Sequence, residues 1–139
     1  MTWLFWSLLS AGFAAATAVL AKVGVSGVDS NLATAIRTSV ILAFTWAIAS
    51  VTARPGALTH LTGRTWLFLT LSGLATGLSW LCYFRALQLG PASRVAPVDK
   101  LSVVFVILLA ATFLGERLTV AKAVGGLMIA GGAIILALE

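Results

Sequence analysis

Charged residues are scarce in this chain. Only 9% of its 139 residues are Asp, Glu, Lys or Arg, whereas an ordinary soluble domain has about 25%. Hydrophobic residues make up 60% of the sequence, and the mean hydropathy is +1.08. A folded domain of ~150 residues still exposes roughly 30% of the surface of its unfolded chain, so a soluble fold of this size cannot hide so much apolar surface. The composition excludes an ordinary soluble protein and predicts that the solvent is lipid.

The groups that usually carry catalysis or bind metals are also few. The single cysteine, Cys82, excludes a disulfide or a CxxC pair within one chain. The single histidine, His60, stands in a polar segment, and no HExxH, P-loop or GxSxG motif is present. The nine basic residues are dispersed and never form a basic run. We therefore expect neither an enzyme, nor a cofactor, nor a nucleic-acid partner.

The sequence contains five long apolar segments. A membrane-spanning helix needs ~20 mostly apolar residues, and segments of that kind occur at about 3–21, 32–53, 66–89, 94–114 and 119–138. Turn-forming stretches such as 24–31 and Arg54-Pro55-Gly56 separate them. The first segment has no basic residues before it, which favours a retained helix over a cleaved signal peptide. These features predict a single all-α integral membrane domain over 1–139, embedded in the lipid bilayer.

An odd number of spans places the two termini on opposite sides of the membrane. With a cytoplasmic N-terminus, the cytoplasmic side would carry four basic residues: Arg54, Arg64, Arg117 and Lys122. The opposite side would carry Lys22 and Arg94, joined by Arg85 and Lys100 if their side chains snorkel. Because the Lys/Arg bias that orients membrane proteins is small here, we expect either orientation, or both.

Small residues mark faces where helices approach closely. The third span contains a GxxxG motif at Gly73 and Gly77, and the fifth contains two glycine pairs, at Gly125, Gly126, Gly131 and Gly132. Such motifs permit close contact between backbones. They are explained either by packing within the chain or by a dimer interface on the fifth helix.

Four ionisable residues lie within or near the predicted spans: Arg37, Arg85, Asp99 and Lys100. Each would cost about 2.5–3.5 kcal/mol at the centre of a membrane helix, so they should face a cavity or one another. Because Asp99 and Lys100 are adjacent and project about 100° apart on a helix, we expect one of them to meet Arg37 or Arg85. Such an ion pair either locks two helices together or takes part in transport.

Aromatic residues form one face of the third span. Trp80, Tyr83 and Phe84 recur at helical spacing with Leu87, and the face leads towards Arg85. A face of this kind is explained by packing, or by a cavity in which rings flank a cation that binds an organic anion. Trp80 and Tyr83 are therefore candidates for the wall of a substrate cavity.

Several short motifs between 80 and 118 carry a resemblance to a known family. They are Arg85-Ala86-Leu87, Gly90-Pro91-Ala92-Ser93, Val95-Ala96-Pro97 and Leu114-Gly115-Glu116-Arg117. With the glycine-rich fifth span, they resemble the EamA family of the drug/metabolite transporter superfamily. The length and the Val98-Asp99-Lys100 variant are similar to the half-size, five-helix branch of bacteria and archaea.

This resemblance implies one unit of an inverted-repeat transporter. It suggests an exporter or exchanger of small polar or anionic metabolites in the cytoplasmic membrane, with the first four helices lining a cavity. An antiparallel homodimer, or a different five-helix partner, would supply the second unit. A non-transport accessory or lipid-handling subunit remains the alternative.

Overall fold

The computed structural model describes residues 2–54 and 56–139 and is built from helices. The α-helices are α1 (Trp3–Gly24), α2 (Ser30–Thr52), α3 (Gly63–Leu89), α4 (Ala92–Asp99), α5 (Ser102–Phe113) and α6 (Val120–Leu138). Helices α1, α2, α3 and α6, and α4 together with α5, make five segments long and apolar enough to cross a membrane. The predicted all-α membrane fold is confirmed, and the observed span ends lie within three residues of the predicted ones.

The connection between α1 and α2 owes its shape to two residues. Gly27 has a φ of +75°, which favours glycine and turns the chain. Asp29 then caps α2, because its Oδ1 accepts hydrogen bonds from the backbone N–H groups of Asn31 (2.9 Å) and Leu32 (3.0 Å). The one acidic residue of this region therefore serves to begin a helix.

The connection between α2 and α3 contains a short 3₁₀ helix at Ala57–His60. Pro55, predicted to open this polar stretch, lies outside the described residues. Thr62 precedes α3, and its hydroxyl accepts a hydrogen bond from the backbone N–H of Thr65 at 3.2 Å. This is the side-chain cap from which the long third span starts.

The fourth span is broken between Asp99 and Ser102, where the sequence analysis expected one continuous helix. Pro97 has no N–H to donate. Beyond it the backbone forms tighter bonds three residues apart, from Lys100 N–H to the Pro97 carbonyl (3.0 Å) and from Leu101 N–H to the Val98 carbonyl (3.0 Å). These bonds interrupt the α-helical register, so the span consists of two helices rather than one.

The chain divides into two compact units, one comprising Gly24–Gln88 and the other the residues up to Val23 together with Leu89–Glu139. In the first unit, Val25, Phe84 and Leu87 are almost fully buried. In the second, α4 and α5 pack against α6. Ala110 and Ala133 are among its buried residues.

Most large apolar side chains face outward. Val51 of α2 is 86% exposed and Phe113 of α5 is 81% exposed, and many Leu, Ile and Trp side chains behave likewise. In water this surface would be highly unfavourable, whereas in a bilayer it meets a solvent of its own polarity. The chain is a multi-pass membrane protein.

Candidate functional site

Arg37 of α2 lies against two aromatic rings of α3. Its guanidinium carbon is 4.2 Å from the centre of the Trp80 ring and 5.5 Å from that of Phe84. Tyr83, the other aromatic candidate of α3, is half-buried. We call Arg37, Trp80 and Phe84 the Arg37 cluster; all three residues belong to the unit Gly24–Gln88.

Helical spacing explains how the cluster forms. Trp80 and Phe84 are four residues apart on α3, so their rings lie on one face, one above the other. Arg37 is the eighth residue of α2, about 10 Å beyond its start at a rise of ~1.5 Å per residue. Trp80 is the eighteenth of the 27 residues of α3, and α3 runs back across the membrane, so the two residues meet at a similar depth.

The polar residues below Arg37 are satisfied by α2 itself. Ser30 and Thr34 are buried. The Thr34 hydroxyl donates to the Ser30 carbonyl at 2.7 Å, and the Thr38 hydroxyl donates to the Thr34 carbonyl at 2.7 Å. Since the hydroxyl hydrogens of Thr34 and Thr38 are already engaged, these two residues do not compete with Arg37 as donors.

The aromatic contacts offset a large part of the cost of placing Arg37 in the membrane but accept no conventional hydrogen bonds from its N–H groups. That cost is about 2.5–3.5 kcal/mol at a helix centre, and each of the two cation–π contacts contributes about 0.5–2 kcal/mol. Asp29 is the sole carboxylate of residues 24–88, and it is occupied by the cap of α2. Within the described part of this unit, Arg37 has neither an ion pair nor a hydrogen bond, and a bound anion would complete its environment.

Arg85 has a different environment near the end of α3. It is exposed, and its Nη1 donates to the Oε1 of Gln88 at 2.9 Å. The Nε2 of Gln88 in turn donates to the carbonyl of Val28 at 2.5 Å. Gln88 thus links Arg85 to the segment before α2, a role that the sequence analysis missed although Gln88 is the polar residue one turn after Arg85.

Asp99 and Lys100 lie at the break of the fourth span, in the other unit. Their carboxylate and ammonium groups are 3.3 Å apart, and the side chains are 35% and 57% exposed. The structure therefore pairs Asp99 with its own neighbour. The predicted ion pair with Arg37 or Arg85 would join the two units and stays a prediction.

Lys22 was also missed as a structural residue. Its Nζ donates to the Gly90 carbonyl at 2.8 Å, at the first residue after α3. A lysine at the end of a helix is an ordinary sequence feature. Its partner, 68 positions away, could not be read from the pattern.

The glycine motifs differ in their surroundings. A Cβ atom at Gly126 would lie 3.5 Å from the Cδ1 of Ile107, so close packing within the chain is present at this position. A Cβ atom at each of four other candidates would meet no described atom within 4 Å: Gly73, Gly77, Gly125 and Gly132. Their faces are open in the chain, and the interpretation as a contact with a second copy stays a prediction.

The described residues contain no group of three His, Cys, Asp or Glu side chains that could hold a metal ion. Cys82 is exposed on α3. What the unit Gly24–Gln88 does offer is a half-buried cation beside aromatic rings. Such an arrangement is suited to binding an organic anion rather than to making or breaking bonds.

Five apolar spans and a cation–aromatic cluster define a multi-pass α-helical membrane protein with a candidate ligand site. The chain belongs to the EamA-like transporter family, which it matches over residues 1–138. It is also similar to a Sinorhizobium sp. protein called "Uncharacterized transporter in cobO 3'region", with 57% identity over 136 residues, 98% of this chain and 96% of the relative. No solved structure matches the chain. Family membership favours a membrane transporter over an enzyme.

Proposed function

We propose that this chain is a secondary transporter of small organic metabolites in the cytoplasmic membrane, acting as an exporter or exchanger. Its working form is an antiparallel homodimer. The observation that carries the proposal is that a match to a transporter family extends over one unit of five spans. A unit with an odd number of spans generates an inverted repeat when a second copy inserts in the opposite orientation.

The relative has nearly the same length as this chain. The match covers 96% of that protein, which is named an uncharacterized transporter, so almost none of its length lies outside the aligned region. For a protein of that length, pairing of two copies is the simplest source of a second unit. We infer the same for this chain.

The distribution of basic residues supports two orientations. The four basic residues expected on one side oppose two on the other, Lys22 and Arg94, with Arg85 and Lys100 as possible additions. Lys122 is paired with Glu116 at 2.8 Å, but the positive-inside rule counts basic residues rather than net charge. The bias is therefore between zero and two residues, too small to impose one orientation.

The broken fourth span suits alternating access. Between Pro97 and Ser102 the backbone bonds span three residues instead of four, so this segment is a natural place for bending. Rocking of one five-helix protomer against the other would expose a site near the membrane centre first to one side and then to the opposite side. Asp99 and Lys100, at the break, would change surroundings during this movement.

Topology reporters test the proposal directly. A reporter fused after Glu139 should be active on both sides of the membrane, in comparable amounts. As a control, adding three lysines to the 54–64 connection should make one orientation predominate. Without oppositely oriented partners, transport of the substrate should be lost. Co-expression with an oppositely biased variant should restore it. A single orientation in the unmodified chain would contradict the antiparallel homodimer. If the chain were instead an accessory subunit, the purified chain in proteoliposomes would transport no substrate.

A further inference from the structure

We propose that Arg37 binds the carboxylate of the transported substrate, and that the substrate is an organic monoanion with an apolar body. This inference rests on the proposed transport function and adds a chemical class to it. Its basis is the Arg37 cluster, in which a membrane-embedded guanidinium contacts rings at 4.2 and 5.5 Å.

The contact with Trp80 orients the guanidinium without using its hydrogen-bond donors. A ring 4.2 Å away interacts with the delocalised charge of the guanidinium. The five N–H groups remain available, and a carboxylate accepts two of them in parallel. The rings thus orient Arg37 and leave its hydrogen-bond donors available for a ligand.

The charge balance favours one negative charge. Arg37 is the cation of the cluster, while Arg85 is bonded to Gln88 and exposed. A phosphate monoester would bring close to two negative charges at neutral pH, for which this site has one cation. A carboxylate neutralises Arg37 and leaves no excess charge in the membrane.

The neighbours of Arg37 specify the rest of the ligand. Trp80 is half-buried and Phe84 is 3% exposed, so the wall beside the guanidinium is aromatic. On α2, Ser30 and Thr34 are buried, and the Thr34 hydroxyl already donates to the Ser30 carbonyl. An apolar ligand body would gain contact with the Trp80 ring, whereas a strongly polar one would lose hydration that aromatic rings do not replace.

The test measures thermal unfolding of the purified chain in lipid-free maltoside detergent, with three probes: benzoate, phenylacetate and octanoate. We expect at least one of them to stabilise the protein, and the corresponding neutral amide to have no effect. Arg37→Lys keeps the charge but removes the bidentate fork, so it should weaken apparent affinity by roughly tenfold. Arg37→Gln should abolish the stabilisation by the probe.

Arg64→Lys is the matched control. Arg64 also lies over an aromatic ring, 5.8 Å from the centre of Phe68, but it is exposed in the first turn of α3. Arg64→Lys should leave the apparent affinity for the probe within about twofold of the wild-type value. A lost charged contact, by contrast, changes the affinity about tenfold. An equal loss in Arg37→Lys and Arg64→Lys would overturn the assignment to Arg37.

Two further results would overturn the inference. Absence of stabilisation by all three carboxylates would show that the cluster does not bind monoanions. Displacement of the probe by phosphatidylglycerol at lower concentrations would identify a lipid phosphodiester as the occupant. Failure of the transport function would look different: the probe would bind in an Arg37-dependent manner, but its flux into proteoliposomes would equal that into protein-free liposomes. Conversely, if flux of the probe above the protein-free level persists in Arg37→Gln, the chain transports without using Arg37.

Discussion

Three charged side chains of this protein are accommodated in different ways. Arg37 is placed against rings, Lys22 donates to a backbone carbonyl, and Asp99 pairs with the adjacent Lys100. Arg37 keeps donors that are able to bind a ligand, while the contact of Lys22 joins positions distant in the sequence. The third is a contact between sequence neighbours, so it ties no two helices together. Asp99 is therefore not explained by stability alone.

Asp99→Asn should separate a role in transport from a role in folding. We expect the free energy of unfolding to change by less than about 1 kcal/mol, since the pair with Lys100 joins adjacent residues and links no two helices. Net flux of the monocarboxylate probe into proteoliposomes should nevertheless fall severalfold, because the charge lies at the break of the fourth span.

Glu116→Gln provides the comparison for Asp99→Asn. Glu116 also pairs with a lysine, Lys122 at 2.8 Å, but in the connection between α5 and α6. Its loss should have a similarly small effect on unfolding and none on flux. Normal flux in a folded Asp99→Asn variant would show that the carboxylate is dispensable for transport.

At the scale of the helices, hydropathy and turn-forming residues account for most of what the sequence could predict. The five spans follow from apolar length, which the bilayer thickness fixes. The break after Pro97 was not predicted, because proline within a membrane helix is also compatible with a simple kink. The contact of Arg37 with Trp80 was not predicted either, since spacing shows which residues share a face but not which helices meet.

Gly126 offers a graded test of packing between α5 and α6. A Cβ atom there would be in ordinary contact with Ile107 at 3.5 Å, so Gly126→Ala should be neutral or stabilising. Gly126→Leu adds three further carbons to this contact and should lower the free energy of unfolding by about 1–3 kcal/mol. Denaturation in detergent micelles measures both. Equal stability of Gly126→Leu and the wild type would show that α6 can move away from α5 without cost.

At the scale of the whole molecule, the open faces become informative. Small residues in a membrane helix are useful where another backbone approaches, yet the chain places no described atom within 4 Å of a Cβ at Gly125 or Gly132. These two glycines are seven residues apart and therefore lie on one face of α6. A second copy of the chain is the partner that the proposed homodimer provides for this face.

Gly125→Leu and Gly132→Leu should therefore weaken the dimer without unfolding the chain. We expect each to raise the dimer dissociation constant by about tenfold, equivalent to roughly 1.4 kcal/mol, as measured by single-molecule photobleaching in liposomes at decreasing protein density. Gly131→Leu is the matched control, because Gly131 is equally open but points about 100–120° away from Gly125 and Gly132. If all three variants dimerise like the wild type, the seam is not on α6, and the open motif of Gly73 and Gly77 on α3 becomes the surface to test.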